Sequence, residues 1–572
     1  MSITNINTDK AFYNPGNRVK ISVEVNDYKG SLTFEVFNRQ TLMQSFSLGY
    51  VDYVCDAIWI TPTKTPEQYL VRVTNNADGA IDVAHIAINV GQSQKDFPLM
   101  GFLSDYSYSD AVKQSEVMDF LKRVHINTVQ YYDCLEDHSR PNYVGEHGEV
   151  SQYTTSPAKK PILRDSVNRY IELAKKNGQL SLVYGLMNGE SSMNPGNGVT
   201  PDMLLYTSNT GSEGDVLRKD LLNSNFKYDL FLGDYTNPEY RKLVLDKFAE
   251  TLKAYAFDGW HIDTLGGCVD KYRKNGQKIS FEESEAGFKD FVDDVTNKFF
   301  ESFVGMNNVA RTGVEGVARS AAAYLYTELW PFDTPSYNDM FQAIMHQMAI
   351  GTADKGMIVP AYINEGGNWE GDNKKFNIPS VIMANIVIMA AGATHLEIGE
   401  QMLSNEYFPD KRGRIYGELK DFIVAQYDFT VAYHNLLGLR KYSTDKTWIL
   451  GYNDAQGNFK HDSDHAKNAI VAGKFSVIEK YSDSVVACSI INTKTMNGTD
   501  WRDDEKKRQM PETIKNIRFG FSKDVDVKDG VVYYASIENP TPTKVELDGN
   551  NSFELPELNS HVLIWCERLQ RQ

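Results

Sequence analysis

Between residues 97 and 440 the sequence repeats one unit, in which a short apolar segment is followed by a loop and then by residues with helical spacing. Phe288, Phe291 and Val295, for example, share one face of such a helix. Eight apolar segments have the character of strands: PLMGFLSDY (98–106), INTVQYYD (126–133), QLSLVYGLMN (179–188), FDGWHIDTLG (257–266), VGMNNV (304–309), YLYTELW (324–330), MIVPAYIN (357–364) and THLEIGEQ (394–401). Eight strand–helix units in about 340 residues predict a (β/α)8 TIM barrel enlarged by loops. A doubly wound open sheet is the alternative, but no G-x-G-x-x-G or G-x-x-x-x-G-K-[ST] loop follows the early strands.

The segments on either side of this repeat are rich in strand patterns. Five β-branched or aromatic segments precede it: VKISVEV (19–25), LTFEVF (32–37), AIWITP (57–62), YLVRVT (69–74) and VAHIAINV (83–90). Five more follow it: VVACSII (485–491), NIRFGF (516–521), VVYYASI (531–537), KVELDG (544–549) and HVLIWCE (561–567). This spacing predicts an immunoglobulin-like β-sandwich over residues 1–95, the barrel over residues 96–440 and a second β-sandwich over residues 441–572.

The charge and the cysteine content argue against several classes of protein. The chain has 59 Lys and Arg against 76 Asp and Glu, and the net charge of −17 would repel nucleic acid and anionic membranes. The five cysteines are far apart and no run of 18 apolar residues occurs, so we expect neither a disulfide framework nor a transmembrane helix. No signal peptide is visible; we expect a secreted protein if an export signal has been removed, and a cytoplasmic one if the chain is complete as written.

We expect no metal and no cofactor. The 11 histidines include no H-x-x-x-H pair in a helical segment, and the HDSDH stretch at 461–465 lies in a polar loop, as is typical of a solvated turn. No G-x-S-x-G elbow occurs, which argues against a Ser/His/Asp triad. Aromatic residues make up 12% of the chain. Aromatic rings combined with carboxylates are suited to neutral sugars, although large aromatic cores explain the same composition.

Polar residues stand at nearly every predicted strand end of the barrel. They are Asp105, Asp133, Asn188, Asp263, Glu328, Asn364 and Glu400. In a barrel of this kind the reactive groups lie where the strands end and the loops to the helices begin. One acidic residue at such a place is explained by an ordinary helix N-cap. Polar residues at so many ends instead indicate a ring of hydrogen-bonding groups around one cavity.

Two of these strand ends carry the candidate catalytic groups. In the segment WHID the strand period of two points His261 and Asp263 to one side and Ile262 to the other, and in YLYTELW it points Glu328 inward. These are the fourth and sixth strands, so the carboxyl groups of Asp263 and Glu328 face each other across the mouth. Glycosidic bond cleavage needs such a pair, at about 5–5.5 Å for retention or about 6.5–9.5 Å for inversion. A salt-bridged or capped pair is the alternative that spacing leaves open.

Four motifs, taken in order, resemble those of glycoside hydrolase family 66, which comprises endo-dextranases and cycloisomaltooligosaccharide glucanotransferases. They are FDGWHIDTLG (257–266), YTELW (326–330), VPAYIN (359–364) and GATHLEIGEQMLSNEYFP (392–409). The resemblance implies a retaining double displacement on α-1,6-linked glucan, with Asp263 as nucleophile and Glu328 as acid/base. It also implies that the barrel lies between an N-terminal immunoglobulin-like domain and a C-terminal Greek-key β domain.

The resemblance also implies residues near the bound sugar. These are Asp133, Asn188, His261, Asn364 and Glu400, whereas Trp330, Tyr132, Tyr362 and Trp369 lie near strand ends where rings can contact glucose. Many family members are expected to have a tryptophan directly after Asp133, but Cys134 stands there. We expect the large loop from Leu186 to Asp234 to form one wall of the cleft.

The length of one interval distinguishes the two activities of the family. The glucanotransferases carry a carbohydrate-binding module of roughly 90 residues late in the barrel. Only about 30 residues separate strands seven and eight here, which is too few for such a module. We therefore expect a dextranase that is a monomer and whose partners are dextran and isomaltooligosaccharides. The alternatives are a transglycosylase that acts on the same glucan and a non-catalytic carbohydrate-binding protein.

Overall fold

The computed structural model describes most of the chain. The described residues are 2–63, 67–77, 80–138, 144–145, 148–149, 152–154, 160–191, 197–219, 229–299, 302–352, 354–364, 375–399, 415, 417–454, 456–462 and 464–569. Within them the protein is multidomain, because separate hydrophobic clusters form in its N-terminal, central and C-terminal parts.

The N-terminal part is a seven-stranded sheet that folds over itself. Its strands are β1 (Ile3–Thr8), β2 (Arg18–Val25), β3 (Lys29–Asn38), β4 (Thr41–Val51), β5 (Val54–Ile60), β6 (Gln68–Ala77) and β7 (Ala80–Asn89). They are ordered β1-β2-β5-β4-β3-β6-β7, and β4 and β5 pair only next to their hairpin, at Val51 and Val54. Apolar side chains from both ends of this order, such as Ile21 and Ile86, pack in one core, as they do in a sandwich.

The central part alternates strands and helices along the chain. The strands are β8 (Met100–Leu103), β9 (Thr128–Tyr131), β10 (Val144–Gly145), β11 (Gly148–Glu149), β12 (Gln152–Thr154), β13 (Pro161–Leu163), β14 (Leu180–Leu186), β15 (Gly189–Glu190), β16 (Arg218–Lys219), β17 (Leu230–Leu232), β18 (Gly259–Asp263), β19 (Phe303–Met306), β20 (Asn308–Val309), β21 (Leu325–Glu328), β22 (Met357–Pro360) and β23 (Thr394–Leu396). The helices are α1 (Ala111–Arg123), α2 (Arg164–Lys176), α3 (Pro238–Ala254), α4 (Phe281–Lys298), α5 (Val314–Arg319), α6 (Tyr337–Ile350), α7 (Ile378–Ala391), α8 (Glu418–Ala432) and α9 (His434–Leu437). All eight predicted strand segments thus contain a strand.

Two parallel sheets, β8-β9-β14-β18-β19 and β20-β21-β22-β23, follow each other in chain order. They meet at both edges: the N–H of Ala323 donates to the carbonyl of Val304 over 2.8 Å, and that of Phe102 to Ile398 over 3.0 Å. Side chains of six strands of these two sheets, including Phe102, Tyr326 and Leu396, form one cluster between them. The carboxyl ends of the strands therefore lie around a common space.

Two features of the helices show how packing shapes this part. Helix α4 begins with a capping box, in which Ser280 and Glu283 each bond the other's backbone N–H. Helix α7 is apolar on all sides, with twelve of its residues from Ser380 to Ala391 buried. It contacts strand β23, helices α6, α8 and α9, and strand β29 of the C-terminal part, so no polar face is needed.

The C-terminal part consists of two sheets around a third core. Its strands are β24 (Lys441–Tyr442), β25 (Thr447–Asn453), β26 (Phe459–His461), β27 (Ala466–Lys467), β28 (Ser476–Tyr481), β29 (Val485–Ile491), β30 (Ile514–Phe521), β31 (Val531–Ala535), β32 (Thr543–Glu546), β33 (Ser552–Leu558) and β34 (His561–Glu567). One sheet runs β24-β28-β29-β34-β31-β32 and the other β26-β25-β30-β33, so the chain crosses between them repeatedly.

A segment between β29 and β30, residues 492–513, reaches from this C-terminal part to the strand ends of the central part. We call it the C-terminal arm. The N–H of Asp503 donates to Ile363, just after β22, over 2.8 Å, and the N–H of Trp501 donates to Pro335 over 3.3 Å. The Trp501 indole also donates to the carbonyl of Thr334. The arm thus fixes the loops that follow β21 and β22.

Candidate active site

A cavity of about 340 Å³ opens at the carboxyl ends of the parallel strands. Carboxylates, aromatic rings and two imidazoles line it, among them Asp263, Glu328, His261, Tyr326, Trp330 and Tyr362. Leu186, Lys219 and Leu230 lie on another part of its wall, as expected for the long loop between β14 and α3. Aromatic walls with a few convergent polar groups are the usual composition of a ligand site.

One amide nitrogen joins the two candidate catalytic carboxylates. Asn307, directly after β19, donates from Nδ2 to Asp263 Oδ1 over 2.9 Å and to Glu328 Oε2 over 2.7 Å. Since the two bonds share one nitrogen, these oxygens are at most about 5.6 Å apart, the sum of the two lengths, which agrees with the separation of about 5–5.5 Å in retaining glycosidases. The orientation of the amide follows from chemistry, because a carboxylate can only accept. Asp263 and Glu328 are therefore held as a pair.

Neutral donors surround Asp263. Its Oδ1 also accepts the N–H of Thr264 over 2.8 Å, and its Oδ2 accepts the hydroxyl of Tyr184 over 2.6 Å. Burial raises the pKa of Asp263 above its ordinary value, while the hydrogen bonds from Tyr184, Thr264 and Asn307 and the charge of His138 oppose that rise. These donors use three of the roughly four lone-pair positions of the carboxylate, which leaves one on Oδ2.

Trp330 holds the other carboxylate. Its indole Nε1 donates to Glu328 Oε1 over 2.9 Å, and Glu328 is 7% exposed. The Trp330 ring lies 5.3 Å from that of Tyr362, between centroids. Two aromatic rings therefore lie beside Glu328, and one of them carries a hydrogen-bond donor as well.

His261 lies deep in the cavity as a neutral imidazole. Burial lowers its pKa to about 3. Its Nδ1 is 2.7 Å from the hydroxyl of Tyr324, a hydrogen bond in which either atom can donate. On the opposite side of the same strand, Trp260 stacks on Phe248 of α3 at 3.5 Å. The alternation predicted for this strand is therefore what the structure shows.

Asp133 lies at the end of β9, next to the cavity rather than on its wall. Burial raises its pKa, and the charges of His138 and Lys160 lower it. Among the described residues its Oδ2 has no hydrogen-bond partner. Cys134, which stands where a tryptophan was expected, is fully buried in the main core and therefore faces away from any sugar.

The side chains of Asn188 and Asn364 hold loops and do not line the cavity. Asn188 donates to the carbonyl of Gly266 and accepts from the N–H of Leu265, so it fixes the turn after Asp263. Asn364 donates to Asp503 in the C-terminal arm and accepts from the N–H of Asn377. Both amides bond the protein backbone here, and their contacts with sugar stay a prediction.

The remaining strand-end residues are less informative. Asp105 accepts from the backbone and hydroxyl of Ser107, which is a local turn. Glu400 and Trp369 lie outside the described residues. Of the seven predicted ends, the structure brings Asp263 and Glu328 together, and Asn307 joins them.

Sequence reasoning missed Asn307, Tyr184 and His138. Asn307 follows the fifth strand in VGMNNV, so the same strand-end rule that selected Asp263 could have selected it. Tyr184 lies inside its strand, with its ring toward the cavity, and only its hydroxyl reaches a strand end. His138 follows β9 by seven residues, and nothing in the sequence indicates that it returns to the cavity.

No metal or membrane feature appears in the described part of the chain. There, no three His, Cys, Asp or Glu side chains converge so that they could hold an ion. The helices there are too short or too polar to cross a bilayer. The five cysteines are buried and unpaired.

Two carboxylates held a few ångströms apart in an aromatic cavity at the ends of parallel strands are the arrangement of glycosidases. A family model agrees with that class: it is described as glycosyl hydrolase family 66 and matches residues 8–561. The chain belongs to this family, and its membership supports a glycosidase activity.

Relatives within the family carry two different names. A cycloisomaltooligosaccharide glucanotransferase of Niallia circulans is 22% identical over 407 residues, which cover 67% of this chain and 40% of that protein. A dextranase of Streptococcus salivarius is 21% identical over 429 residues, covering 66% of this chain and 50% of that protein. The match thus spans half or less of the length of these relatives.

Solved structures show a similar fold. A cycloisomaltooligosaccharide glucanotransferase from Paenibacillus sp. in complex with cycloisomaltoheptaose superposes with a TM-score of 0.85 at 17% identity, over 99% of both chains. An α-amylase from Geobacillus thermoleovorans complexed with acarbose gives a TM-score of 0.51 at 11% identity, over 84% of this chain and 100% of that one. At these identities the likeness concerns the fold alone.

Proposed function

We propose that this protein is an endo-acting dextranase that hydrolyses α-1,6-glucosidic linkages with retention and releases isomaltooligosaccharides. Asp263 acts as the nucleophile and Glu328 as the acid/base. The observation that carries the proposal is the Asn307 amide shared by both carboxylates, because it keeps the two bonded oxygens at most about 5.6 Å apart, below the separation of about 6.5–9.5 Å of inverting enzymes. Family membership supplies the substrate class, since the relatives are named for dextran and for cyclic isomaltooligosaccharides.

The proposal includes the architecture. We infer that β8, β9, β14, β18, β19, β21, β22 and β23 close into a (β/α)8 barrel over residues 96–440. The hydrogen bonds at both edges of the two parallel sheets support closure. An immunoglobulin-like sandwich (1–95) and a Greek-key sandwich (441–572) flank the barrel. The protein acts as a monomer, because one chain supplies both carboxylates.

The reaction proceeds in two displacements. In the first, an oxygen of Asp263 attacks the anomeric carbon while Glu328 gives its proton to the glycosidic oxygen, so the leaving chain departs with a new hydroxyl. In the second, Glu328 takes a proton from water, whose oxygen attacks the same carbon and breaks the ester to Asp263. The two inversions restore the α configuration.

The residues around the pair adjust these steps. Tyr184, Thr264 and Asn307 hold Asp263 so that it is aimed before the sugar arrives, which lowers the entropic part of the barrier. His261 is neutral, so it can donate or accept a hydrogen bond with a sugar hydroxyl without bringing a charge into the cavity.

A transglycosylase is the second candidate. Two relatives named cycloisomaltooligosaccharide glucanotransferase, each 22% identical to this chain, favour it. Against it stands the short interval between β22 and β23: they end and begin at Pro360 and Thr394, too few residues for an inserted module. Products from isomaltooligosaccharides at high concentration distinguish the candidates, because a transglycosylase forms longer or cyclic oligosaccharides and a hydrolase forms shorter ones.

Stereochemistry and rescue test the assigned roles. NMR of an early dextran digest is expected to show the α-anomer first, and the β-anomer first would contradict retention. With isomaltosyl fluoride and azide, Asp263→Gly is expected to give the β-glycosyl azide, since azide replaces the nucleophile. Glu328→Ala is expected to give the α-azide through the ester intermediate. The same anomer from both variants would contradict the assignment.

A further inference from the structure

An exposed phenylalanine lies at the mouth of the cavity beside the acid/base. Phe332 is 77% exposed, and its ring lines the same cavity as Glu328. Its plane is 19° from that of Trp330, with 6.3 Å between the centroids. A single exposed ring needs no explanation on a protein surface. An exposed ring aligned with the one that bonds a catalytic carboxylate points to a ligand.

The position of the two rings indicates which part of the substrate would lie against them. Glu328 protonates the leaving oxygen in the proposed reaction, so the leaving chain and any incoming acceptor lie on its side. The ring bonded to Glu328 is that of Trp330, and Phe332 continues it outward. Asp263 is bonded instead by Tyr184.

The C-terminal arm contacts the Trp330 ring and the loop that follows it. The guanidinium carbon of Arg502 lies 5.6 Å from the centre of the Trp330 ring. Its neighbour Trp501 bonds the loop that follows Trp330, through Pro335. The loop that carries Phe332 is thus held at both its ends, by β21 and by the arm.

We propose that Trp330 and Phe332 form an acceptor platform on which glucosyl units of the leaving or incoming chain stack. The inference rests on the proposed function and adds which residues decide between water and a sugar as acceptor. When a sugar is bound there, the ester to Asp263 breaks, the anomeric carbon bonds to a hydroxyl oxygen of the acceptor, and the hydroxyl proton passes to Glu328. When the platform is empty, water takes that place.

The test compares two donors and one acceptor in Phe332→Ala. Dextran occupies the acceptor side before cleavage, whereas isomaltosyl fluoride places no sugar there. We expect kcat/KM for dextran to fall about tenfold more than kcat/KM for isomaltosyl fluoride, the factor expected for loss of roughly half the burial energy of a phenylalanine. With fluorescently labelled isomaltotriose as acceptor, the ratio of transfer to hydrolysis should fall by a similar factor, and Phe332→Tyr should restore it.

Phe459→Ala is the matched control, because Phe459 is 49% exposed on β26 and lies outside the cavity. It should leave both ratios unchanged. Equal losses on the two donors, or an unchanged transfer ratio in Phe332→Ala, would overturn the platform while leaving the proposed hydrolysis intact. A wild-type protein that cleaves neither donor would overturn the proposed function, and the platform with it.

Discussion

Two buried aspartates of this protein are held in opposite ways. Asp428 in α8 accepts from Arg123 over 2.9 Å, from His125 over 2.7 Å and from the N–H of Ala87 over 2.8 Å. Burial alone would raise its pKa, but the charge of Arg123 and the bond from His125 outweigh burial and hold the pKa below its ordinary value. Asp428 thereby joins the N-terminal sheet to the helices of the central part.

Asp263 also accepts hydrogen bonds from three residues, but all three donors are neutral, and the charge of His138 opposes the effect of burial only in part. Among the described residues no arginine or lysine forms an ion pair with it, and its pKa is raised. A carboxylate neutralised by a cation gains stability and loses nucleophilicity, whereas one held by neutral donors keeps its charge available. The comparison indicates that compensation by cations, more than burial, separates a structural carboxylate from a reactive one.

Substituting asparagine for Asp263 and for Asp428 should give the largest difference between the two sites. We expect Asp263→Asn to lower kcat on dextran at least about 10³-fold, roughly 4 kcal/mol of barrier, because the nucleophile is lost. The midpoint of thermal unfolding should stay close to that of the wild type. Activity above a few per cent of wild type would contradict the proposal that Asp263 is the nucleophile.

Asp428→Asn should have the reverse effect. It leaves Arg123 buried with its partner neutralised, and we expect a loss of about 3 kcal/mol in the free energy of unfolding of the part that contains it. The kcat at 25 °C should stay within about twofold of wild type. Differential scanning calorimetry measures the expected loss of stability, and dextran assays measure kcat. An unchanged unfolding midpoint would contradict the structural role of Asp428.

The pH dependence of stability follows from the lowered pKa of Asp428. A carboxyl of this kind contributes stability that is fully present above its unfolded pKa, about 3.9, and is lost as the pH falls through its lower folded pKa. The gap in unfolding midpoint between wild type and Asp428→Asn should therefore be constant near neutral pH and narrow below about pH 4. A difference in unfolding midpoint that widens below about pH 4 would contradict a lowered pKa of Asp428.

Asn307→Ala tests whether the amide between the two candidate catalytic carboxylates matters for activity. It removes a donor from Asp263 and from Glu328, and we expect kcat to fall about 10²-fold. Since a donor favours the charged form, its loss raises the pKa of Asp263, so the acid limb of the pH–activity profile should move to higher pH. Asn308→Ala is the control, because that amide bonds Thr312 and touches neither carboxylate. The same acid limb in both variants would contradict the bridge.

Tyr184→Phe should give the smallest effect of this series. It removes one hydroxyl donor from Asp263 and leaves the ring, so we expect kcat/KM to fall about tenfold, with a smaller shift of the acid limb in the same direction. Tyr170→Phe, which removes a buried hydroxyl bonded to Tyr108, provides the control. A larger loss in Tyr170→Phe than in Tyr184→Phe would show that the effect is general to buried tyrosines.

The sequence predicted strands best where one side faces a core. The alternation in WHID predicted that Asp263 faces the cavity and Trp260 the helices, and the structure agrees. Strand β4 was missed because residues 41–45 are all exposed and only its second half alternates, with Phe46, Leu48 and Tyr50 toward the core. Helix α7 was missed for the opposite reason, since it is apolar on every side and has no helical period.

The candidate site could be predicted only as far as strand ends. Asp263 and Glu328 follow from the period of two, but the bridging amide of Asn307 depends on how three strands approach one another. The cation on Trp330 comes from Arg502, which is 172 positions further along the chain by residue number. Spacing within a segment carries no information about such contacts.

Helix α7 has a consequence for the synthesis of the chain. Its outer side is covered by β29 at Val485–Ile491, which leaves the ribosome about a hundred residues after the helix, at a rate of about 5–20 residues per second. For several seconds, therefore, a fourteen-residue apolar helix is exposed on a nascent chain whose candidate catalytic residues have already been made. The C-terminal part ends this interval when β29 packs on the helix, and a chain cut after residue 440 would keep that surface exposed.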